Sequence, residues 1–330
     1  MSSLGSTFLL IQQQLTRCVY SSYLTFGIIG CILNIILLNR RPFRTMSCCV
    51  YFSVGSVPML ISLLFGTLPH LYALSGINPI ITNVTFCRVR FYIVHSMTFM
   101  YRWLLAAACF DRYVLTSTNN RLRNLASVRI AYRVIVINSI IWLVLPIQIL
   151  ILFNVRDNKC GIVYDINAAL YFSCYVLIFG CCLPITIMII CAMLIHRNLR
   201  LKRQRRLELS LHGHNGEQNA EKKRDQQVFA MLLLQAVVFI VTLTPWTILN
   251  FYNALTIYIT NKSTDRVAIE QFIAYIAEII IVFFPATSFY VYTMVSKAFR
   301  IELKKLFSHL LLIFKCKRHP NRIHALVNVG

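Results

Sequence analysis

The sequence predicts an all-α integral membrane protein: a seven-transmembrane helix bundle followed by a C-terminal amphipathic helix. Three observations carry this. The 330 residues are 58% hydrophobic and only 13% charged, a membrane-like balance. Seven apolar stretches, roughly 19–39, 48–74, 87–110, 134–153, 168–195, 228–259 and 267–295, are each long enough to cross a bilayer. A soluble helical protein would need polar outer faces, yet 134–153 and 178–195 are apolar nearly all the way round. Third, the charge alternates from gap to gap. Of 33 Lys and Arg, 25 lie in the first, third and fifth gaps, at the inner end of the third span, or from Lys297 onward. Seven lie on the opposite side, and Arg102 lies inside a span.

By the positive-inside rule the N-terminus is extracellular and the tail cytoplasmic, in a multi-pass plasma-membrane protein. A net charge of +22 would otherwise suggest nucleic acid. Here the charge sits in loops between spans, so membrane lipid of the anionic inner leaflet is the expected partner, and nucleic acid is not. Residues 1–18 lack a signal-peptide pattern and are too short for a folded domain; they read as an extracellular N-terminus. Residues 19–295 form the seven-span domain, and 296–330 a cytoplasmic amphipathic helix and tail. Any ligand must then be read by the loops and the bundle.

The first span holds Gly30-Cys-Ile-Leu-Asn34. The second contains no acid over 47–74 and has Pro58 mid-span. The third starts near Cys87 and ends in Asp111-Arg112-Tyr113, a length of roughly 36 Å at the helical rise. An acid–base pair at a membrane boundary is expensive and is retained for a reason. The fourth span holds Trp142, Pro146 and Gln148, the fifth Pro184, the sixth Phe239 and Pro245. The seventh holds Glu278, Pro285 and Ser288-Phe-Tyr-Val-Tyr292. Between the fifth and sixth, basic ends flank LHGHNGEQN: the ends extend the helices and the centre is mobile. After Lys297, Phe299, Leu303, Leu306, Phe307 and Leu310 recur at helical spacing, the pattern of a helix lying in the interface.

Most of the 12 cysteines lie within spans as small apolar residues. Cys87, Cys160 and Cys18 fall on the outer, oxidising side, where a bridge is expected. Cys316, among Lys315, Lys317 and Arg318, is a palmitoylation candidate, with an unmodified thiol as the alternative. Asn83-Val-Thr and Asn261-Lys-Ser are glycosylation sequons on the outer side.

Together these motifs resemble the rhodopsin-like (class A) G-protein-coupled receptors over about residues 19–315, as a divergent member. The resemblance implies a Cys87–Cys160 disulfide, Asn34 as a helix-contact residue, and bends at Pro184, Pro245 and Pro285. It implies that Asp111, Arg112, Tyr113 and Tyr292 serve switching and coupling to a heterotrimeric G protein. Asp225, twenty residues before Pro245, is where many members place the acid that pairs with the triplet arginine, so Arg112–Asp225 is a candidate inactive-state lock. A buried arginine fork on a carboxylate is geometrically specific and costly to break, as a switch requires. The chain departs from the family in four places. The second span lacks the sodium-binding acid, the sixth reads Thr242-Leu243-Thr244-Pro245 without the usual tryptophan, Ser288 stands where the seventh has asparagine, and Ala192 stands where the fifth usually has tyrosine.

The resemblance also narrows the ligand. Val94 occupies the place of the amine receptors' aspartate, and 267–295 contain no lysine for a retinal Schiff base. Around Val94, the pocket candidates are His95, Gln148, Tyr275, Trp246 and Glu278, with Arg102 deeper. Glu278 reads either as a counter-charge for a cationic ligand or as the structural partner of Arg102 or His95. The expected partner is therefore a small extracellular peptide of neuropeptide type, with a chemosensory small molecule as the alternative. A transporter would show internal repeats or more intramembrane charge, and none is found. No nucleotide loop, metal cluster or carboxylate pair points to catalysis, so no enzyme, cofactor or metal is expected.

Overall fold

The computed structural model describes residues 3–156, 159–162, 165–209, 216–259 and 261–318. Seven of its helices are long and apolar enough to cross a membrane: α1 (Gly5–Leu38), α2 (Ser47–Ala73), α3 (Val84–Thr116), α4 (Val128–Leu152), α5 (Ile166–Leu201), α6 (Gln226–Leu255) and α7 (Thr264–Val295). A further helix, α8 (Lys297–Arg318), follows. The chain is thus a multi-pass membrane protein. α3 runs through the middle, packed on α2, α4, α5 and α6, while α1 packs on α2 and α7.

Local sequence sets the helix starts. Asn83 caps α3 by accepting from the Phe86 N–H at 3.0 Å, Ser127 caps α4, Asp165 caps α5 and Ser263 caps α7. Asn34, fully buried, donates to Ser288 at 3.2 Å and so joins α1 to α7. The basic ends of the third inner loop are helical, as expected: α5 continues to Leu209, and the helix leading into α6 begins at Gly216. Of the centre expected to be mobile, residues 211–215 lie outside the described residues, whereas Gly216 to Asn219 already form the first turn of that helix, against the expectation. Pro245 and Pro285 sit inside continuous helices.

The first span differs from expectation. Helix begins at Ser3 and passes through a π-helical turn at Thr16–Tyr20 into Ser21–Leu38. Gln12, Gln13, Gln14 and Arg17 lower its hydropathy and made it read as a separate outer segment. Tertiary contacts hold it. Phe8 stacks on Phe272 with ring centres 4.5 Å apart, and the Tyr275 hydroxyl donates to the Gln12 carbonyl at 3.0 Å.

At the opposite end α8 is anchored rather than merely adjacent. Phe299 is fully buried against Phe43, Phe289 and Tyr292. Gln227 of α6 accepts from the Ala298 N–H at 3.0 Å, and Glu302 pairs with Arg40 and Lys305 at 3.4 and 2.7 Å. Leu303 and Leu306 are half-buried on the same side and Phe307 is exposed; the side chain of Leu310 lies outside those described.

Cys87 and Cys160 are joined as a disulfide. The bridge ties the start of α3 to an antiparallel hairpin of β1 (Asn154–Arg156) and β2 (Lys159–Gly161). Arg88 adds a 2.7 Å hydrogen bond to the Phe153 carbonyl, and Ile149 and Phe153 pack around the bridge. Cys87→Ser should lower stability by about 2–5 kcal/mol, the usual loss for a native bridge. Thermal unfolding of purified protein checks this, and an unchanged transition would contradict it.

Candidate functional site

The bundle carries polar clusters near the start, the middle and the end of α3, and the first two each begin with a proline in a neighbouring helix. Proline has no N–H, so within a helix it leaves the carbonyl four residues earlier without its donor. In α2, Pro69 does this to Phe65. Arg90 of α3 supplies the missing donor: its Nε donates to the Phe65 carbonyl at 3.0 Å and its Nη2 to that of Gly66 at 3.0 Å. In α5, Pro184 follows a π-helical turn at Val176–Cys182 in which the Leu183 N–H turns back to Ile178, and in that register the donor that proline lacks would serve Phe179, next to Gly180. Arg102 of α3 donates to the Gly180 carbonyl at 2.7 Å, and Trp103 donates to that of Phe179 at 2.9 Å. A π turn of this kind is characteristic of functional positions. Gly180 is required sterically: a Cβ there would meet the buried Phe99 ring at 2.6 Å.

These clusters border a cavity of about 130 Å³ among α2, α3, α5, α6 and α7. Arg90, Phe91, Val94, His95, Phe99, Arg102, Trp246 and Glu278 line it. A second, larger space of about 490 Å³ shares Trp246 and Glu278 and is otherwise lined by Gln12, Gln13, Thr16, His70, Asn78 and Tyr275, among others. The two form an inner cavity and a vestibule at the disulfide end of the bundle. Of the residues expected in the pocket, Val94, His95, Trp246 and Glu278 border the inner cavity, and Tyr275, Trp246 and Glu278 the vestibule. Gln148 borders neither. α4 packs at the periphery, with Ile147 and Ile151 exposed on it, and Gln148 is half-buried there, away from the interior.

Glu278 does not meet the expected Arg102 or His95. Its Oε1 lies 3.4 Å from His70 Nε2, and the same nitrogen lies 2.9 Å from Arg90 Nη2. One imidazole nitrogen cannot donate and accept at once. Since arginine only donates, Nε2 accepts from Arg90 and has no proton for Glu278, so the carboxylate and the guanidinium face each other across His70 as neighbouring opposite charges. His95 Nδ1 instead sits 3.0 Å from the Phe91 carbonyl. His70 escaped the sequence reading because it ends a span without a motif. The signal that could have found the network is the pairing of an intramembrane arginine on one helix with a proline on the next.

At the far end of α3, Asp111 and Arg112 are buried, at 6% and 4% exposure, in a helix that continues to Thr116. Arg112 lies back along its own helix: Nη2 and Nε reach Asp111 Oδ2 at 3.2 and 3.3 Å. Ser47, at the start of α2, completes the cluster. Its hydroxyl donates to Asp111 at 2.8 Å and accepts from Arg112 at 3.3 Å. Ser47 was invisible in the sequence, since a serine at a helix start carries no special signal. Tyr113 is half-buried beside Phe110, and Tyr292 is buried against Phe52 with ring centres 5.2 Å apart. The side chains of Asp225 and Cys316 lie outside those described. Asn83 and Asn261 are both exposed.

A family profile described as 7 transmembrane receptor (rhodopsin family) matches residues 30–290. No curated protein matches the chain.

Gly180→Ala should destabilise the bundle by about 1–3 kcal/mol, because the added methyl overpacks against Phe99. Gly66→Ala, whose Cβ meets nothing within 4 Å, should not. Equal melting temperatures for the two purified variants would refute the steric account.

Proposed function

The chain belongs to the rhodopsin family of seven-transmembrane receptors, and on that premise we propose that it is a ligand-activated, non-enzymatic receptor signalling through heterotrimeric G proteins. It sits in the plasma membrane with its N-terminus extracellular and its tail cytoplasmic. The charge alternation and the disulfide, which belongs on an oxidising side, support that orientation. The ligand enters at the disulfide end and is a short peptide of neuropeptide type.

The observation that carries this reading is the pair of chambers sharing Trp246 and Glu278. A small inner cavity beneath a wider, polar vestibule suits a ligand with one inserted end and a longer body. The small inner volume favours a second reading, a chemosensory molecule held wholly inside. Substitution of Gln12 and Gln13, which line the vestibule alone, separates them: peptide potency should fall and small-molecule potency should not.

The switch works through Arg112. At rest it is restrained by Asp111 and Ser47, and Asp225 is proposed as a further restraint from the sixth helix. Ligand binding favours an open bundle, the restraint yields, and the freed guanidinium meets the G protein. Charge-assisted bonds of this kind are directional, so lysine is a poor substitute. Trp246, which borders both chambers, takes the place of the absent sixth-span tryptophan in reporting ligand to the bundle.

Arg112→Ala should abolish nucleotide exchange on the G protein while leaving ligand binding largely intact. Asp225→Asn and Ser47→Ala should each raise ligand-independent exchange. Unchanged basal exchange in both, at normal surface expression, would sink the restraint mechanism. A ligand screen in cells with promiscuous G-protein coupling tests the receptor reading itself.

A further inference from the structure

We propose that the Arg102 end of the inner cavity is an anion subsite, and that the ligand presents a carboxylate to it; the inference rests on the receptor reading above and names the chemistry of its ligand.

The charges lining the cavity do not cancel. Glu278 and Arg90 lie on either side of the same His70 nitrogen, at 3.4 and 2.9 Å, and offset each other as opposite charges at close range. Arg102 is left over. It is 2% exposed, one of its N–H groups is used by the Gly180 carbonyl, and the neutral Tyr101 hydroxyl is a further hydrogen-bond partner. Its Nε has no hydrogen-bond partner, and no carboxylate pairs with it, among the described residues. The rings of Phe99 and Phe239, 5.8 and 6.0 Å from the guanidinium carbon, attract the cation but do not neutralise it. A buried, unpaired cation inside a membrane bundle is costly. A purely structural duty toward Gly180 needs one donor, and arginine brings five with a permanent charge.

Position then sets the ligand's shape. Arg102 lies twelve residues beyond Arg90 along α3, about 18 Å at the helical rise. Phe91, Val94 and Phe99 on α3 and Ile281 on α7 line the cavity with apolar surface. The cavity therefore suits an apolar body, with its acid turned toward Arg102. A cationic ligand would meet Arg102 as a like charge and find Glu278 already taken. The guanidinium fork matches a planar carboxylate, which can come from the free C-terminus of a peptide or from a small organic acid.

The test uses matched acid and amide probes on the purified full-length receptor in lipid nanodiscs and a low-salt buffer free of carboxylates, with chloride held constant. The pairs are 3-phenylpropionate with 3-phenylpropionamide, and Gly-Gly-Phe free acid with its C-terminal amide. Affinity is read from the concentration dependence of the melting temperature. In the unsubstituted receptor the acid of at least one pair should bind about tenfold or more tightly than its amide, the ratio expected of a charge-assisted bond. Arg102→Lys should keep a weaker preference and Arg102→Gln, which retains a donor for Gly180, should lose it. Preference in the first pair alone identifies a small organic acid, and in the second alone a peptide terminus. No preference in the unsubstituted receptor overturns the inference without any variant, and so does a preference that survives in Arg102→Gln. If Arg102→Gln shows no folded transition, the unsubstituted receptor and Arg102→Lys decide: a Lys variant as selective as arginine overturns the guanidinium assignment. Nucleotide exchange is followed in parallel. Exchange without acid preference sinks the subsite alone, and acid preference without exchange sinks the receptor reading alone.

Discussion

The central helix answers proline-broken turns of two neighbouring helices with its own side-chain donors, and much of the bundle's interior follows from that exchange. Hydrocarbon offers no donors, so a carbonyl bared by proline must find one within the protein. Arg90 answers Pro69 through Phe65, and at the π turn before Pro184 Trp103 and Arg102 take the carbonyls of Phe179 and Gly180. Each guanidinium gains acceptors in a place where a charge would otherwise be untenable. Elsewhere in the spans the same constraint is met locally: Ser56, Thr67, Thr242 and Thr287 turn their hydroxyls back onto carbonyls of the preceding turn.

Because both arginines sit on α3, that helix becomes the frame from which the other spans are positioned. Arg90 holds α2 near the disulfide end, Arg102 and Trp103 hold α5 midway, and Asp111 with Arg112 holds the start of α2 at the other end. The two cavities and the buried Asp111–Arg112 pair thus border one rod, with a covalent fastening at Cys87 and an ionic one at Arg112. A rearrangement of α5 or α7 near the cavity acts against a helix whose far end carries the proposed coupling residue.

Much of this was legible in the residues. Hydropathy located the spans, and the thiols at the start of the third span and in the following loop pointed to the bridge that Cys87 and Cys160 make. Arg102 and Glu278 stood out because ionised groups are rare in apolar runs. Their partners did not stand out, since partnership across helices depends on rotation and local pitch. The π turn before Pro184 shifts the phase of α5, and no periodicity in 168–195 announces it. His70 and Ser47 look like ordinary helix-end residues until the fold brings them to Glu278 and Asp111. Gln148 misled because a polar residue in a span suggests an interior position, whereas α4 lies at the edge. The glutamines of the first helix misled in the opposite sense, being polar because they line the vestibule.

The interlock of Arg102, Gly180 and Pro184 also bears on how such a chain can change over generations. Restoring an ordinary residue at 184 would return an N–H to this turn in competition with the donors of α3, and a side chain at 180 would fill the slot beside Phe99. Replacing the arginine first would strand the carbonyl instead. Single steps away from the trio are therefore uphill, and lineages leave it only by coupled substitution or by acquiring a new acceptor for the charge. Arg90 and Pro69 form a looser pair, since Arg90 keeps Gly66 and His70 as alternatives. Drift should loosen the vestibule side of the bundle sooner than its centre.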